Sequence, residues 1–298
     1  MYTSKKDGKR KNIQRYRCKN CNYVFENKKS KNELLQKLRK EYVDHKQTQK
    51  QLATKYSLTS KTIRKYLNQP TVVDNSNNRR PSSSVVLMDT TYFGRTFSVM
   101  VFRDAHIKKN LYWKFLPYET IAEYVLGIDK IEANGTEVKA IVCDGRRGVF
   151  KAFKDLPLQM CQFHQIQIVK RYLTRNPRLE ASQELAEITG KLTRTDEASF
   201  KGMLEKWHEK WRYWLKERTI NEDTGRWHYT HKRTRSAYYS LIRHIDHLFT
   251  YQRYPDLEIP NTTNGLEGIF TNIKTNVRVH RGLKLKNKQK LISEILQK

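Results

Sequence analysis

The chain has 298 residues, enough for one large domain or two to three small ones. Its 59 Lys and Arg residues against 30 Asp and Glu residues give a net charge of +29. That excess is too large for an ordinary cytosolic enzyme and indicates a polyanionic partner, because each phosphate that a cation neutralises releases counterions.

Nucleic acid is favoured over an anionic membrane surface as that partner. No apolar run approaches the ~20 residues that a membrane span needs, and the first residues lack the apolar stretch of a signal peptide. The four cysteines are too few for a disulfide scaffold and fit a reducing compartment.

Residues 1–30 contain a Cys-x-x-Cys pair, Cys18 and Cys21, followed by aromatic residues at Tyr23 and Phe25. The pattern resembles the second half of a zinc ribbon, but structural zinc takes four ligands and this segment holds no second pair. Three explanations stay open: a true start upstream of Met1, a decayed ribbon, or a substitute ligand such as His45. Cys18 and Cys21 are therefore candidate ligands of an incomplete zinc site.

Residues 31–70 predict a helix-turn-helix. A first helix carries its apolar residues on one face, and two short helices, Gln51–Tyr56 and Ser60–Leu67, follow it. In this motif the last helix enters the major groove of DNA. The alternative is a small helical hairpin with a solvated basic face. The outward residues of the last helix, and hence the candidate DNA contacts, are Ser60, Lys61, Arg64 and Lys65.

Residues 71–84 are polar and predict a linker, after which strand-like and helix-like runs alternate. The order is three strands, a helix, a strand, a short helix and a strand, which is the order of a ribonuclease-H-like fold, an α/β class with a mixed five-stranded sheet. The predicted runs are Val85–Asp89, Phe97–Asp104, Leu111–Pro117, a helix from near Glu119, Val138–Cys143, Val149–Phe153 and Leu158–Phe163.

Two acids follow from that order. The first and fourth strands are neighbours in such a sheet, so Asp89 at the end of one and Asp144 just after the other are expected to meet. Glu267 lies at the edge of the apolar stripe of a later helix, where it either joins these acids or is a solvated border charge. Carboxylate oxygens suit Mg²⁺, and two such ions ~3.5–4 Å apart hold the attacking and leaving oxygens of a phosphoryl transfer.

Taken in order, these motifs resemble the DDE transposases of the Mutator-like superfamily, in the bacterial insertion-sequence form with a zinc-ribbon-like N-terminus. The matching segments are MDTTY around Asp89, CDGRRG around Asp144, the C-x-x-H of Cys161 and His164, and NTTNGLEGIF around Glu267. The resemblance implies that Asp89, Asp144 and Glu267 are the catalytic residues and bind Mg²⁺ or Mn²⁺.

The resemblance also implies an architecture and an activity. A ribonuclease-H-like core of residues 85–164 plus 256–298 would be interrupted by an all-helical insertion at 165–255. Double-stranded DNA would be cleaved at terminal inverted repeats and joined to a target, in a bacterial cytoplasm at the nucleoid. A homodimer or higher oligomer is expected, because two DNA ends must be brought together.

Further residues have supporting roles with open alternatives. Cys161 and His164 are zinc ligands, or they pack and hydrogen-bond beside the acids, or His164 contacts DNA. In the insertion, a stripe of one leucine and three tryptophans is expected to be core rather than a base-stacking platform: Leu204, Trp207, Trp211 and Trp214. A basic run is a candidate clamp on the DNA backbone: Lys232, Arg233 and Arg235.

Two other functions fit the same sequence. One is a catalytically inactive transposase remnant that acts as a sequence-specific DNA-binding protein. The other is a ribonuclease-H-like nuclease that cleaves without joining. Metal-dependent nicking and joined products separate the three.

Overall fold

The computed structural model describes residues 3–10, 13–26, 28–69 and 81–297. The chain forms two compact units, here called the terminal unit (residues 1–79 and 271–298) and the central unit (residues 80–270). Of the helices in the described ranges, none has the length and apolar character needed to cross a membrane.

The terminal unit begins with a three-stranded antiparallel sheet in the order β1-β2-β3 and continues with helices. Thr48 caps the second helix in a capping box with Gln51, and Thr59 caps the third. The two short helices predicted from the sequence are thereby confirmed to within two residues. The elements are β1 (Ser4–Arg10), β2 (Ile13–Cys18), β3 (Val24–Glu26), α1 (Lys28–Val43), α2 (Gln49–Lys55) and α3 (Ser60–Leu67).

The C-terminal segment completes this unit. Its helix α12 (Leu285–Leu296) buries Leu291 and Ile292, and Lys290 Nζ donates to the carbonyl oxygen of Leu67, the last residue of α3, at 2.9 Å. The His280 ring stacks on Tyr42 of α1 with centroids 4.0 Å apart. Residues 271–298 therefore group with the N-terminal helices, whereas the sequence assigned them to the catalytic core.

The central unit is built on a mixed five-stranded sheet in the order β6-β5-β4-β7-β8. β4, β5 and β6 pair antiparallel, and β7 and β8 are added parallel. The α/β class with a mixed five-stranded sheet is thus confirmed, and so is the pairing of the first strand with the fourth. The strands are β4 (Ser83–Phe93), β5 (Phe97–Asp104), β6 (Asn110–Leu116), β7 (Glu137–Cys143) and β8 (Leu158–Met160).

Two strand boundaries differ from the prediction. β4 extends from Ser83 to Phe93, so the predicted linker ends earlier and Asp89 lies inside the strand rather than at its end. The extension is stabilised by β5, which pairs with every residue from Val86 to Phe93. Residues 71–80 of the predicted linker lie outside the described ranges.

β8 is the other corrected boundary, since it ends at Met160. Cys161 is instead the N-cap residue of α6 (Gln162–Leu173), so His164 lies in the first turn of that helix. α6 continues across residue 165, where the sequence placed the start of the insertion.

Helices cover the sheet and form most of the rest of the unit. α4 packs its apolar face on Met88, Met100 and Phe102 of the sheet, and a second core lies within the later helices. The helices are α4 (Ile121–Ala133), α5 (Val149–Ala152), α7 (Glu180–Gly190), α8 (Glu197–Trp211), α9 (Lys232–Leu248), α10 (Thr250–Arg253) and α11 (Asn264–Val279), the last of which continues into the terminal unit.

The insertion is not helical throughout. β9 (Arg218–Ile220) and β10 (Trp227–Tyr229) form a two-stranded antiparallel hairpin, and Gly225 lies in the loop between them with φ of +62°. Its residues are β-branched and aromatic, which favours strands over helix. The tryptophan stripe is core, as predicted: Leu204 and Trp207 are buried, and Trp211 and Trp214 pack against them.

Candidate functional site

The register of two strands brings the predicted acids together. β4 and β7 run parallel, with Leu87 opposite Val142. If that register is continued for two residues, past the end of β7, Asp89 comes level with Asp144, and the charge of Asp144 indeed raises the pKa of Asp89. β7 ends at Cys143, so Asp144 lies where the chain turns out of the sheet. The carboxyl edge of a parallel strand pair is the usual place for a functional group in an α/β sheet.

The carboxyl groups of Asp89 and Asp144 are partly buried, and the pKa of each is raised. Burial is the main cause that raises the pKa of Asp89 to about 7, and the nearby charges of Asp144 and Glu119 add to the shift. Burial and the charge of Glu119 likewise raise the pKa of Asp144. Two acids that are held together in a low-dielectric site favour a bound cation or a shared proton.

Backbone donors hold one oxygen of each carboxyl. Thr90 N–H donates to Asp89 Oδ1 at 2.7 Å, and Arg146 N–H donates to Asp144 Oδ1 at 3.2 Å. The Oδ2 atom of each group is the oxygen that these bonds leave for a ligand.

Glu119 is a third acid beside the pair. Its side chain is buried, with 8% exposed, and Arg146 Nη1 lies 2.7 Å from its Oε2. The Tyr124 hydroxyl donates to Oε1 at 2.6 Å, and the Tyr92 hydroxyl donates to Oε2 at 3.1 Å. Both oxygens of Glu119 thus have partners, and Oε2 holds Arg146 in the turn that follows Asp144.

Cys161 and His164 lie next to the acids, as one of the three predicted alternatives required. The Cys161 sulfur beside the ring is the main cause that raises the pKa of His164 to about 9, and Asp89 and Asp144 add to it. Burial would raise the pKa of the Cys161 thiol, but His164 and Thr263 outweigh burial and lower it. The raised pKa favours the protonated form of His164 beside the two acids.

The same cysteine attaches the start of α11 to the sheet. The backbone N–H and the hydroxyl of Thr263 both donate to Cys161 Sγ, each at 3.3 Å. Gln162 N–H donates to Asn261 O at 2.9 Å, and the Asn261 side-chain amide donates to Gln162 Oε1 at 3.0 Å. Four hydrogen bonds therefore fix the chain that leads into α11.

Glu267 lies in the first turn of α11, one helical turn after Thr263. Two residues before it, Gly265 lies over Leu87, on the face of β4 that also carries Asp89 because side chains alternate along a strand. Glu267 is partly buried. Within the described ranges, no three or more His, Cys, Asp and Glu side chains are gathered closely enough to hold a metal ion, so its role as the third ligand remains a prediction.

The predicted DNA contacts of α3 lie at the surface. All four are exposed: Ser60, Lys61, Arg64 and Lys65. Ile63, Tyr66 and Leu67 form the opposite, buried face of the helix. The exposed face of α3 is therefore basic and available to a ligand.

The basic run at the start of α9 is more closely involved in the fold. Arg233 Nε donates to Tyr172 O at 2.7 Å, and the Arg235 guanidinium lies 4.0 Å from the centre of the Tyr229 ring. Lys232 is exposed. Of the predicted clamp, Lys232 is thus the residue best placed to meet a phosphate.

Cys18 is the last residue of β2, and Cys21 lies in the turn between β2 and β3. The backbone N–H groups of Cys21 and Asn20, together with the Cys21 side chain, lower the pKa of the Cys18 thiol. Thiolate formation is what zinc binding requires, but the described residues bring no further His, Cys, Asp or Glu group close enough to complete a site there. His45 is exposed on the loop after α1.

Sequence reasoning missed Glu119 and Arg146. Arg146 is part of the CDGRRG segment, but no spacing rule singles out its partner, and Glu119 stands directly before the N-cap residue Thr120. Their pairing depends on the loops at the edge of the sheet and becomes visible only in the folded chain.

Comparison with known proteins adds little. No family model matches the chain, and no curated protein matches it. Among solved structures, the chain is similar to one from the simian T-cell lymphotropic virus intasome in complex with PP2A regulatory subunit B56 gamma. That match has 12% identity over 68% of each chain and a TM-score of 0.22, which is too low to carry an argument.

Proposed function

We propose that this protein is a DNA transposase of the Mutator-like DDE type, with a ribonuclease-H-like catalytic core. The observation that supports the proposal is the parallel pairing of β4 with β7 in a mixed five-stranded sheet, because Asp89 lies on β4 and Asp144 directly follows β7. The expected strand order and the first two acids of the motif set are both present in that arrangement.

The donor set fits a hard divalent cation. Asp89 and Asp144 offer carboxylate oxygens in a partly buried site. Burial is the main cause of their raised pKa values, and a bound cation would offset the neighbouring acidic charges that add to the shift. Asp89, Asp144 and Glu267 would hold Mg²⁺ or Mn²⁺. When bound, such an ion polarises a phosphoryl oxygen and makes a bound water or hydroxyl more acidic.

The protein's own residues position these groups. Arg146 and Glu119 fix the turn after Asp144, and the Cys161–Thr263 bonds fix the start of α11. In phosphoryl transfer, position and charge stabilisation supply most of the rate enhancement. A cationic His164 beside the acids would attract the scissile phosphate or neutralise the acids before a metal ion binds.

The charge distribution supports DNA as the substrate. The terminal unit holds 29 Lys and Arg residues against seven Asp and Glu, a net charge of +22, and the central unit holds the remaining +7. The unit that contains the predicted helix-turn-helix thus has most of the charge that phosphates would neutralise.

Isosteric variants test the proposal. Asp89→Asn, Asp144→Asn and Glu267→Gln are each expected to abolish metal-dependent cleavage and joining of DNA, while affinity for duplex DNA stays near that of the wild type. Asp256→Asn, at an exposed acid, is the matched control and should keep full activity. Unchanged activity in Asp89→Asn or Asp144→Asn would rule out the assignment.

The products of the wild-type reaction separate the neighbouring functions. Strands joined to a target DNA identify a transposase. Cleaved ends without joined strands identify a nuclease instead, and duplex binding without any cleavage in Mg²⁺ or Mn²⁺ identifies an inactive remnant.

A further inference from the structure

The terminal unit contains an open cleft of about 590 Å³, and of its lining residues only Arg64 is a predicted DNA contact of α3. One wall comes from α1, α2 and α3, and the other from the C-terminal segment before and within α12. The lining includes Tyr42, Lys50, Arg64, His280 and Lys284. The two chain ends therefore build this cleft together.

Its charge is of one sign. Lys50, Arg64 and Lys284 line it, all three are exposed, and the lining includes no Asp or Glu. None of the three forms an ion pair with an acid in the described ranges. On the same helix as Lys50, by contrast, Lys55 lies 2.9 Å from Glu41. The three cations of the cleft are therefore not neutralised by acids, whereas the nearby Lys55 is.

The beginning of α12 adds to the positive potential. Lys284 is its N-cap residue and makes no side-chain cap bond, and no acid lies in the first turn. A helix N-terminus favours negative charge, so a lysine there is unfavourable unless an anion lies nearby. The neutral donors Thr48, Gln49 and Asn287 complete the lining.

We propose that this cleft binds the phosphate backbone of duplex DNA, and that the C-terminal segment is the second half of the DNA-binding surface. This inference rests on the proposed DNA-binding function. A nucleotide is disfavoured as the occupant, because Tyr42 and His280 are both buried and stack on each other, so neither ring is open to a base. Cations on three different elements suit an extended chain of phosphates, and Arg64 links the cleft to the exposed face of α3.

The test uses the full-length protein with Lys50→Gln and Lys284→Gln together, and it leaves the predicted contacts of α3 unchanged. Dissociation constants for two duplexes of unrelated sequence are measured between 50 and 200 mM salt. The log–log slope of affinity against salt concentration is negative. Its magnitude should decrease by about 1.8 for both duplexes, or ~0.9 for each lost phosphate contact. The control, Lys37→Gln with Lys40→Gln, removes the same charge from exposed positions of α1.

The outcomes separate the inference from the proposed function. If the magnitude of the slope decreases in the cleft variant but not in the control, the result supports DNA binding by the cleft. Equal slopes in wild type, cleft variant and control overturn the cleft while leaving DNA binding in place. If the wild-type protein binds neither duplex, the proposed function and the inference fall together. Thermal unfolding of both variants establishes that they are folded.

Discussion

At the scale of residues, the site contains more acids than the motif set requires. Glu119 lies close enough to raise the pKa of both Asp89 and Asp144, although no motif points to it. Its two oxygens already accept from Tyr124, Tyr92 and Arg146. That engagement suits a positioning residue, whereas Glu267 is the acid that the motif context places among the ligands.

Glu119→Gln and Glu267→Gln should therefore have different effects on DNA cleavage. Glu119→Gln loses the ion pair with Arg146 and loosens the turn after Asp144, so cleavage is expected to slow by about ten- to hundredfold. Glu267→Gln is expected to abolish cleavage. Single-turnover cleavage rates across a Mg²⁺ titration measure both effects. If Glu119→Gln loses all activity and Glu267→Gln keeps it, Glu119 is the metal ligand and Glu267 is not.

His244 gives a prediction about stability. It is buried on α9, and its Nδ1 lies 2.8 Å from Gln165 Oε1. Burial, with the charges of Arg243 and His247, lowers the pKa of His244 to about 4. The unfolded chain has the ordinary value of about 6.5 and so takes up the proton first. Stability is unaffected by this group above pH 6.5 and falls as the pH is lowered from 6.5 to 4.

Urea unfolding between pH 7 and pH 4 measures that loss. In His244→Gln the acid-side slope should be shallower than in the wild type, while His45→Gln, at an exposed histidine, should follow the wild type. Identical slopes in the wild type and His244→Gln would contradict the buried, neutral histidine.

At the scale of elements, apolar runs predicted the strands and local chemistry predicted the helix starts. β5 has the bounds that the sequence predicts, Phe97–Asp104, because seven of its eight residues are buried. β4 was harder, because its second half, Thr90 to Phe93, is not a continuous apolar run and is stabilised by pairing with β5. The β9–β10 hairpin was missed for a similar reason: its short strands are stabilised by each other.

Helix–sheet packing gives the next prediction. Gly127 lies on the buried face of α4, and a Cβ there would collide with the Phe102 ring, which is fully buried and cannot yield. Gly127→Ala should cost about 1–3 kcal/mol even though alanine favours helix. Gly202 on α8 has open space at the same position, so Gly202→Ala should gain up to about 1 kcal/mol. Chemical denaturation of the two variants measures both, and a loss of stability in each would contradict the argument.

At the scale of the whole molecule, the two chain ends fold together. Spacing and motifs could not predict this, because α12 carries only an apolar stripe and a basic surface, and such a stripe can pack on any matching face. The partner becomes clear from tertiary contacts: Lys290 and Arg39 both donate to carbonyls at the end of α3, and His280 stacks on α1. The pairing of β4 with β7 in the central unit was predicted correctly, because the order of strands and helices along the chain is typical of one sheet topology.

Removing α12 should therefore unfold the other end of the chain selectively. A chain that stops after Leu283 loses four buried side chains and the Lys290 contacts to α3: Leu291, Ile292, Ile295 and Leu296. Hydrogen exchange measured by mass spectrometry should show loss of amide protection in α1 to α3, and duplex affinity should fall, while β4 to β8 keep their protection.

A full-length Ile292→Ala variant separates packing from charge in that experiment. It keeps every lysine of the segment and removes only buried volume. The free energy of exchange in α3 should fall by at most about 5 kcal/mol, while the protection of β4 to β8 is unchanged. If α1 to α3 stay protected when α12 is absent, the N-terminal helices fold alone and the terminal unit is not a single cooperative body. If protection in α3 falls in both variants, while DNA affinity falls further in the truncated chain, the C-terminal segment supplies both core and charge to the DNA-binding unit.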